Sequence, residues 1–171
     1  GLAGFAELEA KGTMGNLSAG YRIEQNNLSG TYYAPRASYA KMFGRFHGKL
    51  LASQAFKIPT IMNLNYGPED VAIRAEYVTT IEAEIGCKIG KSASLTTNVY
   101  HTNIKDPIVY TYSAETGDSY MNRNVAGSYG ADLRFTWETK RTSILAGYGL
   151  SRPIDGMDLP ESQLPDSLPN N

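Results

Sequence analysis

Apolar and polar side chains alternate one for one along three stretches of this 171-residue chain, a pattern that a helix would scatter around its circumference. In YVTTIEAEIGCKI (77–89), Ile81, Ala83, Ile85, Cys87 and Ile89 fall on one side, and Thr80, Glu82, Glu84, Gly86 and Lys88 on the other. In SYGADLRFTWE (128–138), Tyr129, Ala131, Leu133, Phe135 and Trp137 oppose Ser128, Gly130, Asp132, Arg134 and Thr136. In NLSAGYRIE (16–24), Leu17, Ala19, Tyr21 and Ile23 oppose Ser18, Gly20, Arg22 and Glu24. A period of two places each set on one face of an extended strand. Fainter alternation marks 3–11, 34–43, 48–57, 93–103 and 142–151, and it stumbles in 48–57, where Leu50 and Leu51 point to opposite faces. The expectation is an all-β fold, an antiparallel up-and-down meander of about eight strands. The abundance of Gly (17) and Tyr (12) favours strands and tight turns over helices in the same way.

The links between these segments alternate in length. GTMG (12–15), GRFHG (44–48), GKS (90–92) and TKR (139–141) are short. The links at 25–33, 57–76 and 104–123 are long, and a polar, Pro-rich stretch follows from 152 to 171. All the short turns then lie at one end of the sheet and all the long loops at the other, the order of outer-membrane barrels with short periplasmic turns and long extracellular loops. In the three clean segments one face carries charge and the other carries none. That division suits a lipid-facing outside and a water-filled lumen, with Phe43, Phe46 and Trp137 beside short turns as part of an aromatic girdle. Two other readings share the pattern. One is a soluble all-β binding module whose apolar face packs on a second sheet, and the other is a small outer-membrane barrel of eight strands closed on itself.

Composition and motifs narrow the functions. Sixteen Lys plus Arg against 17 Asp plus Glu leave no basic patch for nucleic acid. No run of 18 apolar residues encodes a membrane-crossing helix, and the opening GLAGFAELEAKG lacks the basic start and apolar run of a signal peptide, as expected of a mature chain or a piece of a longer one. The lone Cys87 forms no internal disulfide, and Cys87, His47 and His101 have no metal-ligand spacing. No Gly-x-Ser-x-Gly element supports a hydrolase triad, and the glycines of 127–134 lead into a strand where a phosphate loop needs a helix. Glu82 and Glu84 share a face with Lys88, as a solvated wall would, and the Asn16-Leu17-Ser18 and Asn27-Leu28-Ser29 triplets match the glycosylation pattern without meaning in a bacterial membrane. No catalysis and no cofactor are expected.

The run 34–67 resembles the barrel of TonB-dependent outer-membrane receptors, in which a strand ends at the extracellular rim in a Phe-Arg-Ala-Pro-Thr-like motif. Here it reads Phe56-Lys57-Ile58-Pro59-Thr60, followed by Asn63-Leu64-Asn65-Tyr66. Pro68-Glu69, Glu84-Ile85-Gly86, Ile104-Lys105-Asp106 and Gly130-Ala131-Asp132 follow in the family's order, with Lys57-Ile58 in place of Arg-Ala and Asp132 in place of Glu. The resemblance spans roughly 34–151 and implies that residues 1–151 are part of a 22-stranded barrel that surrounds a plug, with 152–171 as a loop or tail. It also implies outer-membrane lipid, the remaining strands and plug, and an inner-membrane TonB-type energiser as partners, and uptake of a scarce nutrient such as an iron chelate, cobalamin or a glycan.

Candidate ligand-binding residues come from the long links. Tyr32 and Tyr33, Asn63, Asn65 and Tyr66, and Tyr110 and Tyr112 supply apolar area with a polar tip, which suits capture of a small molecule at a barrel mouth.

Overall fold

The computed structural model describes residues 1–27, 30–67, 72–113 and 117–154. Eight long strands form one antiparallel sheet: β1 (Leu2–Gly12), β2 (Gly15–Asn26), β3 (Gly30–Phe43), β4 (Phe46–Lys57), β5 (Glu76–Ile89), β6 (Ala93–Lys105), β9 (Val125–Glu138) and β10 (Ser143–Ile154). Each strand pairs with the next one in this series. A separate hairpin, β7 (Ile108–Ser113) with β8 (Gly117–Asn122), and a short helix, α1 (Ile61–Asn65), occupy two links expected to be loops. The eight-strand meander therefore stands, with these additions. The final strand also reaches Ile154, three residues into the expected tail. The rest of the tail, Leu28-Ser29 of the second glycosylation-like triplet, and Pro68-Glu69 lie outside the described residues.

The ladder register assigns every side chain to a face. Ala19 pairs with Ala37, Ala37 with Ala52, and Ala52 with Ile81; Ile81 in turn pairs with His101, and His101 with Tyr129. This row lies on the apolar face. Three rows nearer the short turns, Asn16, Ala40, Lys49, Glu84, Asn98 and Asp132 line up on the charged face. The ambiguity of β4 resolves here: Leu50 meets Ala83 on the apolar face, while Leu51 meets Glu82 on the charged one. Every acidic residue of the sheet, namely Glu7, Glu9, Glu24, Glu76, Glu82, Glu84, Asp132 and Glu138, has charged-face parity.

The strands are also staggered. In that charged-face row, Asn16 lies one residue from the end of its strand at the short turn, Ala40 three, Glu84 five and Asp132 six. A steady shift of this kind is the shear that tilts strands in a barrel wall.

Among the described residues nothing covers either face. The accessible surface is 12980 Å², against about 8,300 Å² for a compact monomer of this mass. Among the described residues the buried apolar groups are Tyr32, Ile73 and Ala75 with two loop prolines, Pro59 and Pro107, while Leu8, Ile81, Ile85, Leu133 and Leu150 are each at least 45% exposed. A soluble module closing around its own apolar core would bury these residues. Nor does the sheet close on itself, since β1 and β10 stand at its two edges.

Aromatic residues of the apolar face collect toward the strand ends. Phe43 and Phe46 stack beside their short turn with centroids 6.3 Å apart, and Trp137 has the same parity. Toward the opposite end Tyr21 meets Tyr33 at 6.0 Å and Phe56 meets Tyr77 at 6.5 Å. About ten residues of tilted strand separate the two groups, enough to span the roughly 25 Å apolar band of a barrel.

Candidate functional site

Both features of interest, the charged face and the structured end of the long links, are built from the strands just described. On the charged face, large side chains lie across register-paired glycines. The Arg36 side chain covers Gly20, the His47 ring covers Gly86 and the Tyr100 ring covers Gly130. A β-carbon at position 20 would come within 2.7 Å of the Arg36 Nε. Glycine is needed at such places because a flat side chain can lie on the backbone only where no Cβ stands in the way.

Charges on this face are paired across and along strands. Arg36 reaches Glu7, Arg22 Nη2 meets Glu24 Oε2 at 2.6 Å, and Lys11 Nζ meets Glu9 Oε2 at 2.9 Å. His47 Nε2 lies 3.3 Å from Glu84 Oε1, and Asn98 Nδ2 donates to Glu82 Oε2 at 3.4 Å. His47, expected in a short turn, is the second residue of β4. Such half-exposed pairs contribute little stability individually; together they make a wetted wall with both signs of charge. Among the described residues no group of three or more His, Cys, Asp and Glu is placed to hold a metal.

At the long-link end the chain folds into a small platform. Thr60 and Asn63 form a reciprocal cap that starts α1: the Asn63 N–H donates to Thr60 Oγ1 at 3.2 Å, and the Thr60 N–H donates to Asn63 Oδ1 at 2.9 Å. The Tyr120 N–H donates to the Tyr66 carbonyl at 2.8 Å, which ties the end of α1 to the β7–β8 hairpin. A second knot holds the hairpin base. Arg74 Nη2 donates to Asp106 Oδ1 at 2.6 Å, and Asn122 Nδ2 donates to the carbonyls of Asp106 (2.7 Å) and Arg74 (3.0 Å). The Arg74 N–H donates back to Asn122 Oδ1 at 2.7 Å. Asp106 sits at φ 53°, the left-handed region that costs an ordinary residue about 1–2 kcal/mol, and these bonds hold it there.

The platform separates the candidate ligand residues. Tyr110 and Tyr112, with Asp118 and Tyr120, share one face of the hairpin by register, and both tyrosines are exposed. The Tyr110 hydroxyl donates to Asp118 Oδ1, and its ring meets that of Tyr120 edge-on at 5.6 Å. Asp118 thereby holds the Tyr110 phenol above its ordinary ionisation range. Asn65 and Tyr66 are exposed at the end of α1, which the Tyr66–Tyr120 bond fastens to this hairpin. Asn63 is 8% exposed, and its side-chain oxygen is engaged in the cap. Tyr32 and Tyr33, expected in a loop, belong to β3: Tyr32 is 6% exposed and stacked on Phe56 at 5.3 Å, and Tyr33 lies on the apolar face against Tyr21. Of this knot the sequence marks only Asp106, through the Ile104-Lys105-Asp106 element and the turn-prone Asp106-Pro107 dipeptide; nothing local points to Arg74 or Asn122.

The sequence matches the family described as TonB dependent receptor-like, beta-barrel over residues 3–170. The chain belongs to this TonB-dependent receptor β-barrel family. No curated protein matches it. In fold it is similar to the siderophore receptor PirA from Pseudomonas aeruginosa, with a TM-score of 0.71, 16% identity, 87% of this chain and 34% of that one covered. The PirA siderophore receptor from Acinetobacter baumannii gives 0.71, 16%, 87% and 27%. The FrpB iron transporter from Neisseria meningitidis (F3-3 variant) gives 0.68, 13%, 88% and 25%. The chain thus spans about a third or less of the length of these receptors. In the TonB-dependent receptor fold, an open sheet with two free edges is what a stretch of barrel wall looks like by itself.

Proposed function

We propose that this chain forms part of the wall and outer mouth of a TonB-dependent receptor that takes up a scarce nutrient through the bacterial outer membrane, with an iron chelate as the first substrate class to test. The observation that carries this reading is the complete separation of acids from the apolar face across eight strands, within a chain of this family. Hydrocarbon on one side and a watery bore on the other impose that separation. Siderophore and iron transport by the structurally similar receptors supports the substrate class, and cobalamin or a glycan is the remaining choice.

In this reading the free edges of β1 and β10 pair with the other strands of the barrel, because an unpaired edge in lipid leaves a row of backbone groups unsatisfied. The charged face meets the plug and the passing ligand, and an inner-membrane energiser acts through the plug. Asn65, Tyr66, Tyr110 and Tyr112 make the first contacts with the ligand, and the chain contributes no catalysis. The test is uptake of radiolabelled iron chelates by cells producing the complete receptor. Energiser-dependent uptake that falls when Tyr110 and Tyr112 are replaced together by alanine agrees with the proposal; accumulation indifferent to both the receptor and the energiser refutes it.

A further inference from the structure

The short-turn end of the sheet is basic. The four turns, each taken with three strand residues on either side, hold seven Lys and Arg and a single acid, Glu138. The whole chain has a net charge of -1, so acids outnumber bases everywhere else. Of the seven cations Lys11 is spoken for, with Nζ 2.9 Å from Glu9 Oε2. The other six, Lys41, Arg45, Lys88, Lys91, Lys140 and Arg141, are exposed and have no ion-pair partner among the described residues. Like charges gathered at one end repel one another, and a surface that keeps them there sets up a field for a negative partner.

These cations stand at the edge of the apolar band, where Phe43, Phe46 and Trp137 collect. The Arg45 guanidinium lies over the Phe46 ring, 5.1 Å from its centroid. The Lys88 N–H donates to the Arg45 carbonyl at 2.8 Å, which fixes this turn against β5. A cation stacked on a girdle ring is held at the depth of that ring. Lys41 has apolar-face parity two residues before Phe43, a position from which a long side chain lies along the apolar surface and brings its ammonium out at the band's edge. Lys140 and Arg141 follow Trp137 in a turn closed by two bonds: the Thr139 N–H donates to the Thr142 carbonyl at 2.8 Å, and the Thr142 N–H donates to Thr139 Oγ1 at 3.1 Å.

We infer that the short-turn end binds anionic phospholipid headgroups of the periplasmic leaflet, with Arg45, Lys140 and Arg141 as the principal charge partners. Phosphodiester oxygens accept from guanidinium and ammonium donors. An anionic lipid also brings the net charge that unpaired cations attract, whereas a zwitterionic headgroup cancels its phosphate with its own ammonium. A carboxylate polymer in the periplasm, such as peptidoglycan, answers the charge but not the seating of Arg45 on a girdle ring or of Lys41 on the apolar face. The inference rests on the barrel-wall reading above and adds a lipid-selective surface at its inner rim.

The test uses the complete receptor in detergent micelles, titrated with phosphatidylglycerol or phosphatidylcholine of the same acyl chains and read by native mass spectrometry. Phosphatidylglycerol should bind about fivefold more tightly, the factor that corresponds to about 1 kcal/mol per cation near a charged lipid. Replacing Arg45, Lys140 and Arg141 together by glutamine should lower its affinity by a similar factor and leave phosphatidylcholine unchanged. The charge-keeping triple variant Arg45→Lys, Lys140→Arg, Arg141→Lys should retain the preference, and Arg134→Gln, on the charged face, should not alter it. Equal binding of the two lipids, or a preference indifferent to the glutamine variant, overturns the inference. So does sedimentation with purified peptidoglycan that the glutamine variant abolishes while lipid preference stays. A spin label at Ile85 that reports acyl chains while lipid preference ignores these cations sinks the headgroup surface alone; a label that reports none sinks the wall reading beneath it.

Discussion

The ring of Tyr100 lies across Gly130, its partner in the β6–β9 ladder, and the carbonyl of Leu150 approaches the same glycine from the opposite neighbour. A β-carbon at position 130 would overlap both the phenol and a backbone oxygen. The phenol can swing away, but the carbonyl is held by the sheet. Gly130→Ala should therefore cost about 1–3 kcal/mol, the range for overpacking. Gly147, on the adjoining strand, has its nearest contact 3.7 Å away, so Gly147→Ala should stay within about 0.5 kcal/mol. Urea unfolding of the complete receptor in micelles, comparing the two variants, measures the difference.

Depth along the apolar face should set the cost of a charge. Leu133 lies five residues from the short-turn end of β9 and Trp137 one. Leu133→Arg should cost about 2–4 kcal/mol and Trp137→Arg about 0–1, as for barrel positions at the midplane and near an interface. Folding titrations into phosphatidylcholine vesicles read both values. Thr96→Arg, on the charged face opposite Arg134, serves as the comparison and should change stability least of the three.

The Arg74–Asp106–Asn122 knot should keep the hairpin platform closed. Asp106→Ala removes the ion pair at 2.6 Å and leaves a residue with a β-carbon at φ 53°. The expected outcome is faster hydrogen exchange in residues 108–122, with exchange in β5 and β6 unchanged. Asp106→Asn should show a smaller acceleration, because it keeps an acceptor for Arg74 and tolerates the left-handed conformation.

Asp118 makes the Tyr110 hydroxyl reluctant to ionise. The phenol is raised above its ordinary value of 10.0, so the hydrogen bond is intact below that value and is lost as pH climbs through the elevated one. Subtracting the phenolate absorbance titration of Tyr110→Phe from that of the unaltered receptor isolates this group. Asp118→Asn should bring the difference curve back toward lower pH.

Most of the sheet was legible because each long strand carries an acid-free face and a charged face, and an extended chain puts successive side chains on opposite faces. The same logic shows why β4 was hard to read: Leu51 stands on the charged face opposite Glu82, and only the pairing with β5 reveals it. The platform was less legible. α1 is one turn of helix set by a Thr60–Asn63 cap inside a stretch that reads as loop, and β7–β8 spans six residues per strand. The knot joins residues 32 and 48 positions apart, a distance over which local pattern carries no information. Of the seven residues singled out for ligand contact, the fold places Asn65, Tyr66, Tyr110 and Tyr112 in the open, engages Asn63 and Tyr32 internally and sets Tyr33 on the apolar face against Tyr21, a division that depends on capping and stacking partners rather than on residue type.

In the proposed barrel wall the acid-free face of this sheet meets lipid and the charged face meets water. Spin labels at Ile81, Ile85 and Leu133, with matched labels at Glu84 and Asp132, test it in the complete receptor reconstituted into bilayers. The first three should show high collision with oxygen dissolved in the acyl chains, and the other two high collision with a water-soluble nickel chelate. Equal exposure of both sets to the chelate, or oxygen contact at Glu84 and Asp132 instead, would contradict it.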